Sequence, residues 1–305
     1  MMKILIYAYF MVLLIGLNVL KAETLEPKNV SSAVEDKLEN SQDVKALEDY
    51  LSKSEEELVK VEIEKKKKDY ISKHRRELES YIENGKNVIP LIYSIFIKHN
   101  LPPELLAIPV IESHYRIMVK SPKGAAGLWQ FMPETARNFG LKVNKEVDER
   151  LDPIKSTLAA VKYFKKLYSV FGDWHLVLAS YNAGHNKIIT KVSYHGNSFS
   201  SIKNFLPKQT KEYVLKFIAI AEATTEIIKK KGLDKEDTNF DIVKVNKGYT
   251  FEEISRLTYI KREILDKLNP HLLKKRTPND GEEYNLYVPK GYGKLIKALL
   301  FDDSV

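Results

Sequence analysis

LLAIPVIESHY, residues 105–115, decides how the rest of the chain is read. This apolar run holds a single carboxylate, Glu112. If residues 103–115 form a helix, it is hydrophobic nearly all round, as a helix buried in the middle of a domain is. Burying an ionised carboxylate without a partner is costly, so Glu112 is paired, exposed at the end of the run, or kept partly protonated for use. A nearby helix C-terminus and apolar walls both disfavour negative charge, and so favour the protonated carboxyl that a general acid needs. A structural Glu paired with Arg116 or a nearby Lys stays open on this segment alone.

Outward from that helix the texture is strongly helical. Upstream, Ile71, Leu78, Tyr81 and Ile82 recur at helical spacing, and Val88 to Ile97 is apolar enough for a core helix. Leu101-Pro-Pro-Glu104 marks a helix start, since proline fits a first turn and an acid there favours the dipole. Downstream, residues 156–170 and 174–181 carry helical apolar spacing, and a stretch beginning at Thr210 ends in lysines and Gly232. Strand signals between 70 and 232 are nearly absent, so the main domain is predicted to be mainly α. After a polar break, FDIVKVNKG, TFEEISRLT, REILDKLNP and NLYVPKG read as strand, helix, helix, strand, a small α+β module.

With 305 residues, 44% of them hydrophobic, the chain has material for a medium domain plus appendages. Residues 1–22, an early Lys3 followed by an apolar stretch to Val19 and then Lys21-Ala22, have the layout of a secretory signal. Leu20 sits where a small residue is preferred before the cut, so an uncleaved anchor, with membrane association, stays open. Residues 23–69, rich in Glu, Lys and Ser, read as a charged spacer, partly helical or disordered. The absence of cysteine removes disulfides, thiolate metal sites and a cysteine nucleophile. A net charge of +8 could suit nucleic acid, but an exported chain meets anionic envelope polymers and membrane surfaces instead. No nucleic-acid partner is expected, and the protein is expected to be a monomer.

Three segments carry chemistry. Glu112-Ser113 comes first; Ser121 follows nine positions after Glu112, and Gly124-Ala-Ala-Gly-Leu-Trp-Gln130 ends eighteen positions after it; Tyr181-Asn-Ala-Gly184 closes an apolar helix. In this order and spacing they resemble the soluble-type lytic transglycosylase family, and in particular its membrane-bound type D branch. The resemblance covers roughly residues 70–230 and includes Ile89-Pro-Leu-Ile92, Leu101-Pro-Pro-Glu-Leu105 and Thr210-Lys-Glu-Tyr-Val214. It implies a lysozyme-like α domain over residues 70–235. It also implies cleavage of the β-1,4 bond between N-acetylmuramic acid and N-acetylglucosamine in peptidoglycan strands, without water, leaving a 1,6-anhydro ring.

Carried over by position, Glu112 is the catalytic acid and then base, and Tyr181 places its hydroxyl on the Glu112 carboxyl. Ser121, Gln130 and Met132 line the sugar subsite, and Asn182 fixes the turn that holds Tyr181. Tyr213 matches a cleft tyrosine or packs in the core, and Trp129 either packs or stacks on sugar. An ordinary glycosidase needs two carboxylates, whereas this motif set offers one, which suffices if the attacking hydroxyl is already on the substrate and so has a high effective concentration. Glu104 and Glu134 sit at helix starts, where capping or dipole roles are expected, and Asp152 before Pro153 reads as a turn. Histidines 114, 175, 185 and 195 lack a ligand pattern, and no phosphate loop or serine elbow occurs, so no metal and no cofactor is expected.

The C-terminal module, residues 239–305 with its tail, is similar in outline to a degenerate LysM domain. The resemblance implies binding of N-acetylglucosamine-containing glycan, which would hold an enzyme on its polymer; a purely structural role stays open because the Lys-rich KKRTPNDGEEY loop departs from the usual pattern. Two rivals remain at this stage. A goose-type muramidase would hydrolyse the same bond, and an idle glycan-binding scaffold is disfavoured by the presence of Glu112, Tyr181 and Gln130.

Overall fold

The computed structural model describes residues 64–65, 67–235 and 237–301. The signal segment and most of the charged spacer lie outside the described residues. From Lys67 onward the described chain forms one compact unit.

Nine helices, three of them short, build the first part of this unit among the described residues. They are α1 (67–84), α2 (Ile89–Lys98), α3 (Ala107–Ser113), α4 (Pro133–Asn138), α5 (Pro153–Phe171), α6 (Trp174–Ala183), α7 (His185–His195), α8 (Phe199–Ile202) and α9 (Lys208–Lys230). The predicted helix over 103–115 is shorter and split: Pro103–Leu106 is a 3-10 turn and only Ala107–Ser113 is α-helical. Proline at its start tolerates that tighter turn because the missing N–H would be an orphan in any case.

Local chemistry explains where the long helices start and stop. Asp152 caps α5 by accepting from the N–H groups of Ile154 and Lys155, both at 2.9 Å, with Pro153 in the first position and Gly172 in the left-handed conformation at the end. Asp173 caps α6 in the same way through His175 N–H at 2.7 Å. Residues 156–181, similar in texture throughout, therefore divide into two helices at Gly172-Asp173.

Helix α3 sits in the middle of the core. Ala107, Ile108, Pro109 and Val110 are buried on it, and the long α9 packs against both α3 and α6 while α2 packs against α5. Trp129 is wholly buried, its Nε1 donating to Thr157 Oγ1 at 3.1 Å between the rings of Phe96 and Phe164. Of the two roles open to Trp129, packing is the one this position serves.

The C-terminal module follows the order strand, helix, helix, strand. Strands β1 (Phe240–Val245) and β2 (Tyr284–Pro289) pair antiparallel, Phe240 opposite Pro289 and Val245 opposite Tyr284. Between them lie α10 (Phe251–Thr258), opened by a Thr250–Glu253 capping box, and α11 (Arg262–Leu268). A further helix, α12 (Gly293–Phe301), occupies what the sequence pattern left as tail; Ile296 and Leu300 bury into the module's core.

The module's core and the main core interlock. Phe240 and Tyr287 belong to the main cluster, while Val147 of the main domain belongs to the module's cluster. At the seam Asp152, already the cap of α5, is fully buried and accepts from Tyr287 Oη at 2.6 Å and Asn285 Nδ2 at 2.8 Å. An Asp-Pro pair read as a turn is thus also an anchor between distant parts of the chain. Losing one donor to a buried carboxylate costs about 1–2 kcal/mol, which for a unit of this size lowers Tm by several degrees. Tyr287→Phe in the full chain is therefore expected to melt earlier with unchanged secondary structure, as circular dichroism would show.

Candidate active site

Glu112 is held at the end of α3 by a stop signal built from the next three residues. The Ser113 hydroxyl is buried between the carbonyls of Pro109 and Leu128, at 3.1 and 3.0 Å. His114 and Tyr115 then take positive φ values of 52° and 57°, which ends the helix. Tyr115 turns back under it, its N–H donating to Pro109 O at 3.1 Å and its hydroxyl to Leu106 O at 2.7 Å. Gly85 makes room for that ring, since a Cβ there would lie 2.6 Å from it. Glu112 is left half-buried with its position set by backbone on both sides.

Burial pushes the Glu112 carboxyl up to about 7; the Tyr213 hydroxyl and the charge of Lys216 oppose this and are outweighed. Arg116 does not form the ion pair that stayed open in the sequence, because its Nε is directed at Ser113 O, 3.4 Å away. Among the described residues, no carboxylate is one of the groups that shift Glu112. The buried acids nearest in sequence are committed elsewhere: Asp148 to Arg150, Glu149 to Lys155, and Asp152 to the module.

Two tyrosines attend this carboxyl. Tyr213, on α9, is buried; its hydroxyl faces Glu112 without completing a hydrogen bond, and burial followed by the charge of Glu112 raises its pKa well above the ordinary phenol value. Tyr181, expected to place its hydroxyl on Glu112, instead donates to Trp129 O at 2.5 Å. The reason is packing: its ring lies 5.3 Å from Phe164 and 5.5 Å from Tyr163, which aims the hydroxyl at the backbone of the Trp129–Gln130 loop. Burial first, then the charge of Glu112, raises its pKa, so the two groups remain electrostatic neighbours.

Ser121 and Gln130 lie at two ends of one tight loop. Ser121 Oγ accepts from Ala125 N–H at 3.0 Å, and isolated bridges pair Lys120 with Ala126 and Ala126 with Phe131. Gln130, at φ 47°, donates through Nε2 to Gly127 O at 2.8 Å and Val119 O at 3.1 Å, which leaves its Oε1 for a ligand. Met132 follows at the start of α4 with 43% of its surface exposed. Asn182 is half-buried in the last turn of α6, but the turn itself is closed by backbone, Gly184 N–H to Ser180 O at 2.9 Å. Glu104 and Glu134 occupy first turns, at the Pro103 and Pro133 starts.

Among the acids within reach of Glu112 in sequence, Asp148 was given no role by sequence reasoning, and Arg150 was not singled out. Both are buried, and Arg150 reaches from the Asp148 carboxylate to the carbonyls of Gly124 and Phe131. The available signal was the charged run Asp148-Glu-Arg-Leu-Asp152 set between apolar segments, which also fits a solvated turn.

A cleft of about 720 Å³ opens between α4, α5 and the α6–α7 turn, lined by Glu134, Tyr163, Lys166, Gly184, His185 and Lys187 among others. Glu112 is not in its wall. Tyr163 is, and it packs against Tyr181, which is close enough to Glu112 to feel its charge.

Residues 96–204 match the family described as Transglycosylase SLT domain, and residues 239–301 match the one described as Lytic transglycosylase MltD, LysM-like domain. The chain thus carries an SLT transglycosylase domain followed by an LysM-like domain of the MltD type. It is 37% identical over 129 residues to membrane-bound lytic murein transglycosylase D of Escherichia coli (strain K12), covering 41% of this chain and 28% of that protein. It is 37% identical over 108 residues to a putative tributyltin chloride resistance protein of Alteromonas sp. (strain M-1), covering 34% of this chain and 52% of that one. Among solved structures, the 70 kDa soluble lytic transglycosylase from Escherichia coli superposes with a TM-score of 0.39 at 25% identity over 47% of this chain and 25% of that chain. The matched region therefore spans about a quarter of the length of the Escherichia coli relatives.

A raised carboxyl pKa has a stability signature. Between about 4.5 and 7 the unfolded chain releases the Glu112 proton while the folded chain keeps it, so stability falls as pH rises through that window and levels off above it. The loss amounts to about 3 kcal/mol. Glu112→Gln, which has no proton to release, is expected to gain that much on the parent chain between pH 4 and pH 8, as urea unfolding at the two pH values would measure.

Proposed function

We propose that this chain is a peptidoglycan lytic transglycosylase, cutting the β-1,4 bond between N-acetylmuramic acid and N-acetylglucosamine and leaving a 1,6-anhydromuramoyl end. The observation that carries the reading is one half-buried acid, Glu112, at the end of α3, where burial pushes its carboxyl up to about 7 and no other carboxylate of the described residues acts on it. The SLT and LysM-like matches support the same reading.

The chemistry needs one such group. Protonated Glu112 gives its proton to the glycosidic oxygen as the C1–O bond breaks, and the substrate's N-acetyl group supports the positive charge that develops at C1. The resulting carboxylate then takes the proton from the C6 hydroxyl of the same sugar as O6 bonds to C1, which returns Glu112 to its starting state without consuming water. The intramolecular attack outcompetes water because of its high effective concentration.

Tyr213 is the hydroxyl placed to stabilise the Glu112 carboxylate between the two proton transfers, the role first given to Tyr181. Tyr181 instead holds the loop at Trp129 O, one residue before Gln130. Ser121, Gln130 and Met132 form the sugar subsite, and Asn182 borders it on α6. The protein acts outside the cytoplasm, in the cell envelope, as a monomer.

Mass spectrometry of digested sacculi is the decisive experiment. Muropeptides lighter by one water than hydrolysis products support the reading, and hydrated ends would make the enzyme a muramidase. Glu112→Gln is expected to abolish anhydro product while still binding sacculi; unchanged turnover would remove Glu112 from the chemistry. The rate is expected to fall as pH rises through about 7, because the working acid is then ionised.

A further inference from the structure

The loop that presents Ser121 and Gln130 is not held by its own turn chemistry alone. Arg150 crosses beneath it and donates through Nη1 to Gly124 O at 2.7 Å and to Phe131 O at 3.0 Å, one carbonyl on each arm of the loop. Between those anchors Gly127, at φ 81°, lies so close to the same residue that a Cβ would fall 1.9 Å from Arg150 O. Arg150 is itself locked, its Nε and Nη2 each 2.8 Å from an oxygen of Asp148 with both residues buried. Such a two-point guanidinium–carboxylate pair fixes direction as well as charge.

Asp148 in turn sits on a ledge that the main domain does not build alone. Its N–H donates to His271 O at 2.9 Å, and Leu273 N–H donates to Glu146 O at 2.8 Å, so residues 146–148 pair with the segment after α11 of the LysM-like module. Val147 and Leu272, opposite one another, are both fully buried in the module's core. His271 Nε2, close to Asn285 O at 2.9 Å, ties the same segment to β2. A continuous chain of contacts runs from the module's core through Leu272, Val147, Asp148 and Arg150 to the loop of Ser121 and Gln130.

The geometry points to Arg150 as a positioning residue for the sugar subsite, and to the LysM-like module as the support that sets it through the Leu272–Val147 ledge. This rests on the reading of Glu112, Ser121 and Gln130 as the cleavage site. The module then contributes to turnover through the backbone of the active-site loop, whether or not it also touches glycan. A misplaced loop lowers kcat because Gln130 and Ser121 no longer meet the sugar in the geometry that Glu112 needs.

Two full-chain variants test it from opposite ends. Arg150→Lys keeps a cation for Asp148 but cannot grip both oxygens of Asp148 and reach Gly124 O and Phe131 O at once, and Leu272→Ala loosens the ledge from the module side. Each is expected to lower kcat for anhydro-product release by about ten- to a hundredfold with KM changed far less, measured well below each variant's melting temperature. The double variant is expected to be little worse than the more impaired single, because both act through one lever. The pH at which the rate falls should not move, since Glu112 is untouched. Wild-type kcat in either folded variant, or multiplicative losses in the double, would overturn the inference; if one variant fails to fold, kcat of the other decides. An enzyme that is inactive in the parent form, or active as Glu112→Gln, would instead overturn the function proposed above.

Discussion

Keeping one carboxyl half out of water, at a fixed point, is the constraint on which the site depends. It is met by ending an apolar helix one residue past Glu112 with two consecutive left-handed residues, His114 and Tyr115. Left-handed backbone is unfavourable for such side chains, and the structure offsets this with the Tyr115 hydroxyl on Leu106 O and a ring seated against Gly85. His114 stacks on Tyr81 at 4.0 Å, so the first residue of the stop is held as well. The helix α3 cannot lengthen or rotate without disturbing this turn, and so the carboxyl keeps both its depth and its direction.

Around it most of the polar groups named above are satisfied, and Tyr213 is not. Ser113, Tyr115, Trp129 and Tyr181 each have backbone or hydroxyl partners within 3.1 Å. Tyr213 does not, although it is buried. A buried hydroxyl without a partner is expensive in a resting protein; under the function proposed above, ionisation of Glu112 would supply its acceptor. The pattern is one of a rigid frame with an unpartnered hydroxyl facing the Glu112 carboxyl.

The helical domain, the strand-helix-helix-strand module and the single central acid were all legible in the sequence, because each is written in local patterns: apolar spacing around α3 and α9, Asp or Thr before a helix, and Gly after one. What was not legible depends on pairings between residues far apart. Tyr181 was placed on Glu112 because motif order carries no information about which way a ring will point; three neighbouring aromatic rings decide that. Asp152 read only as a turn, and Asp148 and Arg150 carried no role, because a buried ion network and a solvated one have the same composition. The C-terminal helix α12 was missed for a related reason: its short apolar run gains meaning only from the module core that receives Ile296 and Leu300.

The cap of α5 has a consequence for the order of assembly. Two of the donors that satisfy Asp152 come from residues 285 and 287, 133 and 135 positions further along the chain. Until β2 is in place, the carboxylate at the start of α5 has its own backbone N–H partners and water, but not the seal that buries it. Closing so long a loop is slow compared with forming the helices, so the helical half is expected to form before Asp152 is sealed. A chain cut before β2 would keep Glu112, Ser121, Gln130 and Tyr213 but lack the Asn285 and Tyr287 donors, leaving Asp152 and its seam open to solvent.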